Sequence, residues 1–140
     1  DARITSIYEG TSQLQVVAAI RGVTTGGYLA QIREYEKREV RPEMEYLQKQ
    51  LAGLTDDFEK RVAQVTAAGN NELTDFHARR LVEMAANIIM GYLLLQDAQR
   101  DPVYTSSVEL FLPMAISENR MRSDFIAAFE EKELGLYKVS

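Results

Sequence analysis

Residues 72–100 read ELTDFHARRLVEMAANIIMGYLLLQDAQR. Leu73, Phe76, Leu81, Met84, Ile88 and Leu95 recur at spacings that keep side chains on one face of a helix. From Ile88 to Leu95 the stretch is apolar on nearly every side, as a helix at the centre of a bundle is. One long central helix over 72–100 makes the class all-α. Its longest apolar run, residues 84–95, is twelve residues with Asn87 and Gly91 inside it, short of the roughly 20 that cross a bilayer. No transmembrane segment is therefore expected; the run is read as core, with a subunit-facing patch as the alternative.

Upstream, Asn70 and Asn71 form a turn after a helix that ends near Gly69. That helix carries Phe58, Val62 and Val65, with Thr55 expected as its N-cap and Asp56 and Asp57 as its acidic first turn. Before it, Tyr28, Leu29, Ile32, Val40, Met44, Leu47, Leu51 and Leu54 form one stripe, bent or restarted at Pro42, with Glu34/Arg38 and Glu45/Lys49 as i,i+4 pairs. Thr24, Thr25, Gly26 and Gly27 break the chain, and a helix from about residue 12 to 23 precedes them with Leu14, Val17, Ala18 and Arg21 at helical spacing. Downstream, a last helix starts at about Pro102 or Ser107 and runs to Lys132, with a capping box at Ser106-Ser107-Val108-Glu109 and Pro113 as a kink; residues after Glu133 are expected to fray. The whole reads as an up-and-down bundle of about four helices preceded by a short loop and one helix, divided at the break into residues 1–26 and 27–140.

The composition agrees with a folded domain: 140 residues, 46% hydrophobic and 26% charged. Sixteen basic and 21 acidic residues leave a net charge of −5 without a basic block, so no nucleic-acid partner is expected. The absence of cysteine excludes a thiolate metal site and a cysteine nucleophile, and a single histidine builds no zinc site, so no metal is expected. No secretion signal is visible at Asp1-Ala2-Arg3, and the missing initiator Met suggests a piece of something longer.

Chemistry concentrates in Ile7-Tyr8-Glu9-Gly10-Thr11-Ser12. A carboxylate on a tight turn beside Ile7 and Tyr8 is partly desolvated, which raises its pKa and suits it to accept a proton. Gly10 lets another backbone or a ligand come close, and Thr11 can cap the helix that follows. The plain alternative, a solvated Glu9 favoured by the helix dipole, is equally compatible with the spacing.

The run Arg3-Ile4-Thr5-Ser6-Ile7-Tyr8-Glu9-Gly10-Thr11-Ser12-Gln13-Leu14-Gln15, continuing to Ala19-Ile20-Arg21, closely resembles the segment that bears the catalytic base in the acyl-CoA dehydrogenase family. The rest resembles, in general layout, the helical C-terminal extension of a subset of these enzymes; the flavin-binding β-domain and the N-terminal helical domain are not in the sequence. The resemblance implies that Glu9 takes the α-proton of an acyl-CoA thioester while a hydride leaves the β-carbon for FAD. It places Tyr8, Gly10 and Arg21 at the substrate, Arg21 having a structural salt bridge as its alternative, and Thr11 and Gln13 at the FAD. It also implies an electron-transfer flavoprotein as acceptor, a homo-oligomer, a cytoplasmic location in a bacterium or the mitochondrial matrix in a eukaryote, and an inactive fragment.

Other features read as structural. His77, beside Arg79 and Arg80, is expected at the surface or in a cap. Gly22, Gly26 and Gly27 follow no strand and are hinge material. The rival reading is a non-catalytic oligomerisation or interaction module over residues 28–140. Attachment to a membrane surface is disfavoured, because residues 27–140 hold 14 basic against 19 acidic side chains.

Overall fold

The computed structural model describes residues 22–23 and 26–137, and among them there is no strand. Gly22 and Val23 are helical. The helices that follow are α1 (Gly27–Glu36), α2 (Glu45–Ala67), α3 (Asn71–Arg100), α4 (Thr105–Ala128) and the single turn α5 (Leu134–Tyr137). The long helices α2, α3 and α4 all pack on one another, and α1 lies against α2 and α3. The all-α bundle expected from the sequence is the observed fold.

Local chemistry sets the boundaries. Gly26 and Gly69 take left-handed φ values of 78° and 64°, a conformation that disfavours side chains with a Cβ, so one opens α1 and the other lets the chain leave α2. Asn70 then caps α3: its Oδ1 accepts from the backbone N–H of Glu72 at 2.9 Å and of Leu73 at 3.3 Å. Pro42 restarts the chain rather than bending it, opening a 3-10 turn over Pro42–Met44. The extended segment before it is fixed to α3, since the Arg41 backbone N–H donates to Gln99 Oε1 at 2.7 Å and the Arg41 guanidinium to the Gln99 carbonyl.

Four local expectations need correction. Thr55 caps nothing: it lies buried inside the continuous helix α2, where its hydroxyl donates to the Leu51 carbonyl at 2.8 Å, a bond made without leaving the helix. Asp56 and Asp57 instead reach sideways, Asp56 to Arg33 at 2.9 Å and Asp57 to the Ser123 hydroxyl at 2.9 Å. The Ser106 capping box is bypassed, because Asp101 accepts from Val103 N at 3.1 Å and opens a 3-10 turn over Pro102–Tyr104 before α4. Glu34 pairs with Lys37 at 3.0 Å, while Arg38 lies over the Tyr35 ring.

The core is one cluster drawn from Val23 to Ile126, with Ile32, Leu51, Phe58, Met84, Ile88, Tyr92 and Leu112 deep inside it. By length and composition α3 could cross a membrane; its face of Leu81, Met84, Ile88 and Leu95 is instead buried in the bundle, so it is the central helix of the core. At Gly91, α2 and α3 come so close that a Cβ would stand 2.5 Å from Leu51 Cδ2. After α4 the chain does not simply fray. It turns back through Glu131–Glu133 and α5, and the Tyr137 ring rests 5.0 Å from that of Phe76.

Candidate functional site

Tyr8, Glu9, Gly10, Thr11, Gln13 and Arg21 lie outside the described residues. Among the described residues the bundle offers several concave surfaces and several buried polar groups.

The first cavity, about 330 Å³, opens between the 37–41 connector and α3. Its walls are the rings of Tyr35 and Tyr92 with Leu95, and its polar rim is Arg38, Gln48, Gln96 and Arg100. Gln48 is committed to the backbone carbonyls of Glu36 and Arg38, whereas Gln96 Nε2 is buried without a partner. Burial, with Glu36 close by, pushes the Tyr92 hydroxyl up to about 12, so it stays protonated. The second, about 390 Å³, has apolar Leu54 and Ile116 beside a polar border of Gln50, Asp57, Arg120 and Asp124. The third is a groove of about 230 Å³ along α3, lined by Tyr28, Val82, Ala86, Ile89, Met90 and Leu93.

His77 is not a surface residue. It is 1% exposed, with its ring edge-on to Phe76 at 5.1 Å and to Phe129 at 5.0 Å. Burial, aided by the positive charge of Arg80, lowers its pKa to about 4. It is therefore a neutral core aromatic at pH 7. Ser123 donates to Asp57 without an imidazole between them, so no hydroxyl nucleophile is assembled. Asn119, fully buried, accepts from Asn87 Nδ2 at 3.0 Å and donates to the Met84 carbonyl at 3.2 Å, joining α4 to α3. Arg122 reaches Glu83 at 2.9 Å across the same seam. Arg33 gathers Glu36, Asp56 and Glu59, and the Glu36 hydrogen bond first, then Asp56 and Glu59, hold its pKa above the usual arginine value.

These groups join helices; none is aimed with a second reactive group at a common point, as catalysis requires. Among the described residues no group of three metal-ligating side chains exists. A dinucleotide needs a long cleft with backbone N–H groups turned toward its pyrophosphate, whereas the cavities among the described residues are rimmed by side chains. The sequence did not single out Gln96 and gave Arg38 only a surface pairing with Glu34, because nothing in the helical period marks which polar residues will meet across a connector.

Residues 24–134 match the family described as acyl-CoA dehydrogenase C terminal. A crystal structure of an acyl-CoA dehydrogenase family protein from Porphyromonas gingivalis is 42% identical and superposes with a TM-score of 0.77. The match covers 81% of this chain and 98% of that one, so that chain consists almost wholly of the matched region. No curated protein matches the chain. The matched residues take in every long helix of the bundle, and the chain belongs to the acyl-CoA dehydrogenase C-terminal family.

Proposed function

We propose that this chain is the C-terminal part of an FAD-dependent acyl-CoA dehydrogenase, with residues 1–26 closing the catalytic helical domain and residues 27–140 forming the helical extension. One observation carries the reading. The run Tyr8-Glu9-Gly10-Thr11, which resembles the base-bearing segment of this family, stands directly before the stretch that matches the family's C-terminal region. Two independent signals meet in the order a dehydrogenase of this layout requires.

In this proposal Glu9 removes the α-proton of an acyl-CoA thioester. That proton is only weakly acidic, so the carboxylate must be held within hydrogen-bond reach and kept dry. Tyr8 and Gly10 border the thioester, and Arg21, a helix further on, stands near the acyl-CoA. Thr11 and Gln13 face the FAD, whose contribution when bound is a hydride acceptor for the β-carbon. In this reading those walls come from the parent's other domains, so the chain alone is inactive, and the parent passes its electrons to an electron-transfer flavoprotein in a bacterial cytoplasm or a mitochondrial matrix.

The test is anaerobic titration of the intact parent with saturated acyl-CoAs of increasing length. Flavin absorbance bleaches with the wild type, and the chain-length series ranks the substrates. Glu9→Gln retains flavin and slows bleaching by about a hundredfold to ten-thousandfold, since a positioned base contributes on the order of 10²–10⁴ and the amide cannot substitute for it. Wild-type bleaching rates in the Glu9→Gln protein would remove Glu9 from the reaction.

A further inference from the structure

The cavity under the 37–41 connector is walled by four segments of this chain: the end of α1, the connector itself, Gln48 of α2 and the last turns of α3. The Tyr35 and Tyr92 rings stand 6.1 Å apart, tilted by 34°. A third ring between them would need about 7 Å, twice the carbon–carbon contact distance, so the two tyrosines form one aromatic wall rather than a clamp. Val40 and Leu95 extend the apolar lining. The space of about 330 Å³ equals roughly eleven waters at liquid density, room for a flat molecule of about a dozen heavy atoms.

The polar groups of this cavity are unevenly matched. Helices α1 and α3 both end beside it, and the carbonyls at a helix end repel an anion. The carbonyls of Glu36, Arg38 and Gln99 are nevertheless already taken, the first two by Gln48 Nε2 at 3.1 and 3.2 Å and the third by Arg41 Nη2 at 3.1 Å. What stands unmatched is donors. Gln96 Nε2 is buried without an acceptor, and such a group is stabilised by any acceptor brought to it. Arg100, one turn further along the same face of α3, spends one guanidinium nitrogen on Asp97 and keeps further N–H groups. The Arg38 guanidinium lies over the Tyr35 ring at 5.2 Å, a contact that leaves its N–H edge available. Against these donors the lining holds one acid, the exposed Glu39. The balance is particular to this cavity: in the second, Arg120 stands beside Asp57 and Asp124, and the α3 groove is lined by no charged group.

We propose that this cavity binds a small planar carboxylate, its ring against Tyr35 and Tyr92 and its carboxylate held by Arg38, Arg100 and the Gln96 amide. A guanidinium presents parallel donors that match the two carboxylate oxygens, and a ring on the aromatic wall gains contact beyond its buried area. The inference does not depend on the role proposed for Glu9.

The probe is 2-naphthoate, titrated calorimetrically into the 140-residue chain. A Kd on the order of 1 mM or tighter is expected, which a ligand of about a dozen heavy atoms reaches at ordinary efficiency. The uncharged 2-naphthamide, of the same shape, binds at least about tenfold more weakly, because hydrogen bonds to a charged acceptor are the stronger ones. Replacing both arginines, Arg38→Gln with Arg100→Gln, abolishes the preference for the acid. Both side chains are exposed, so helical circular dichroism is retained. Arg120→Gln, at the second cavity, leaves the affinity unchanged. In NMR spectra the Gln96 side-chain amide, assigned by its loss in Gln96→Leu, shifts as the probe saturates. The longer protein proposed above binds the probe as the free chain does. Absence of binding up to the solubility limit of the probe overturns the inference, as does equal affinity for acid and amide, an undiminished preference in the double variant, or binding that leaves the Gln96 amide unmoved. A longer protein that excludes naphthoate while the free chain binds it also overturns it, since another part of that protein then fills the cavity.

Discussion

His77 shows how far a single side chain can depart from what its neighbours in sequence suggest. Arg79 and Arg80 flank it and mark a polar shoulder, yet the ring is buried among Phe76, Phe125 and Phe129. Arg80 follows it inward, its guanidinium 4.3 Å from the Phe125 ring centre while Nη1 donates to the Phe76 carbonyl. An arginine can cover aromatic surface and keep its charge in water, so its presence did not fix which way that side of the helix faces. The buried ring has a thermodynamic signature. In the unfolded chain histidine titrates near 6.5, and in the fold near 4, so between these values the unfolded state binds the extra proton. Stability is then complete above about pH 6.5 and falls on acidification toward pH 4, by up to about 3 kcal/mol. Urea unfolding of wild type and His77→Leu at pH 7 and pH 4.5 isolates this contribution: the wild type loses more stability between the two, and parallel losses would contradict it. Glu9 marks the opposite limit. Its residue type and neighbours were readable as a resemblance, but in the proposed function the walls that would dry the carboxylate come from other parts of a parent protein, where a pattern in this chain cannot reach.

The helices were legible in proportion to the clarity of their ends. α3 was read within a residue of its observed start because Gly69 and Asn70 close one helix and open the next by short-range geometry that hardly depends on the rest of the fold. α2 was misread for the converse reason. Thr55-Asp56-Asp57 has the chemistry of a helix start, but those side chains found partners in Leu51, Arg33 and Ser123, two of them on other helices and invisible to a local pattern. The same contrast between local and tertiary control separates two glycines. Gly53 lies on the exposed side of α2 with nothing within 4 Å of a built Cβ, so Gly53→Ala stabilises by roughly 0.5–1 kcal/mol through helix propensity. Gly91 faces Leu51, and the overpacking of Gly91→Ala costs about 1–3 kcal/mol, outweighing that gain. Guanidinium melts of the two variants should move in opposite directions. Equal stabilisation would show that Leu51 gives way freely.

At the scale of the whole molecule, the core cluster starts at Val23 and ends at Ile126, and the family match begins at residue 24. Among the described residues, Val23 to Ile126 therefore share one apolar interior. A chain starting at residue 22 is expected to unfold in one cooperative transition, with a midpoint within ~5 °C of the 140-residue chain, followed by far-UV circular dichroism on heating. A broad, non-cooperative melt would mean that the first 21 residues complete the core.

The links at residues 68–70 and 101–104 carry a kinetic consequence. Each long helix is followed at once by the helix it packs on, and the pairings that skip a helix, α1 with α3 and α2 with α4, become local once the helix between them is in place. Little loop entropy has to be surrendered before contacts begin to form, and bundles joined in this way reach the native state on the order of microseconds to milliseconds. Such a segment is finished almost as soon as it is synthesised.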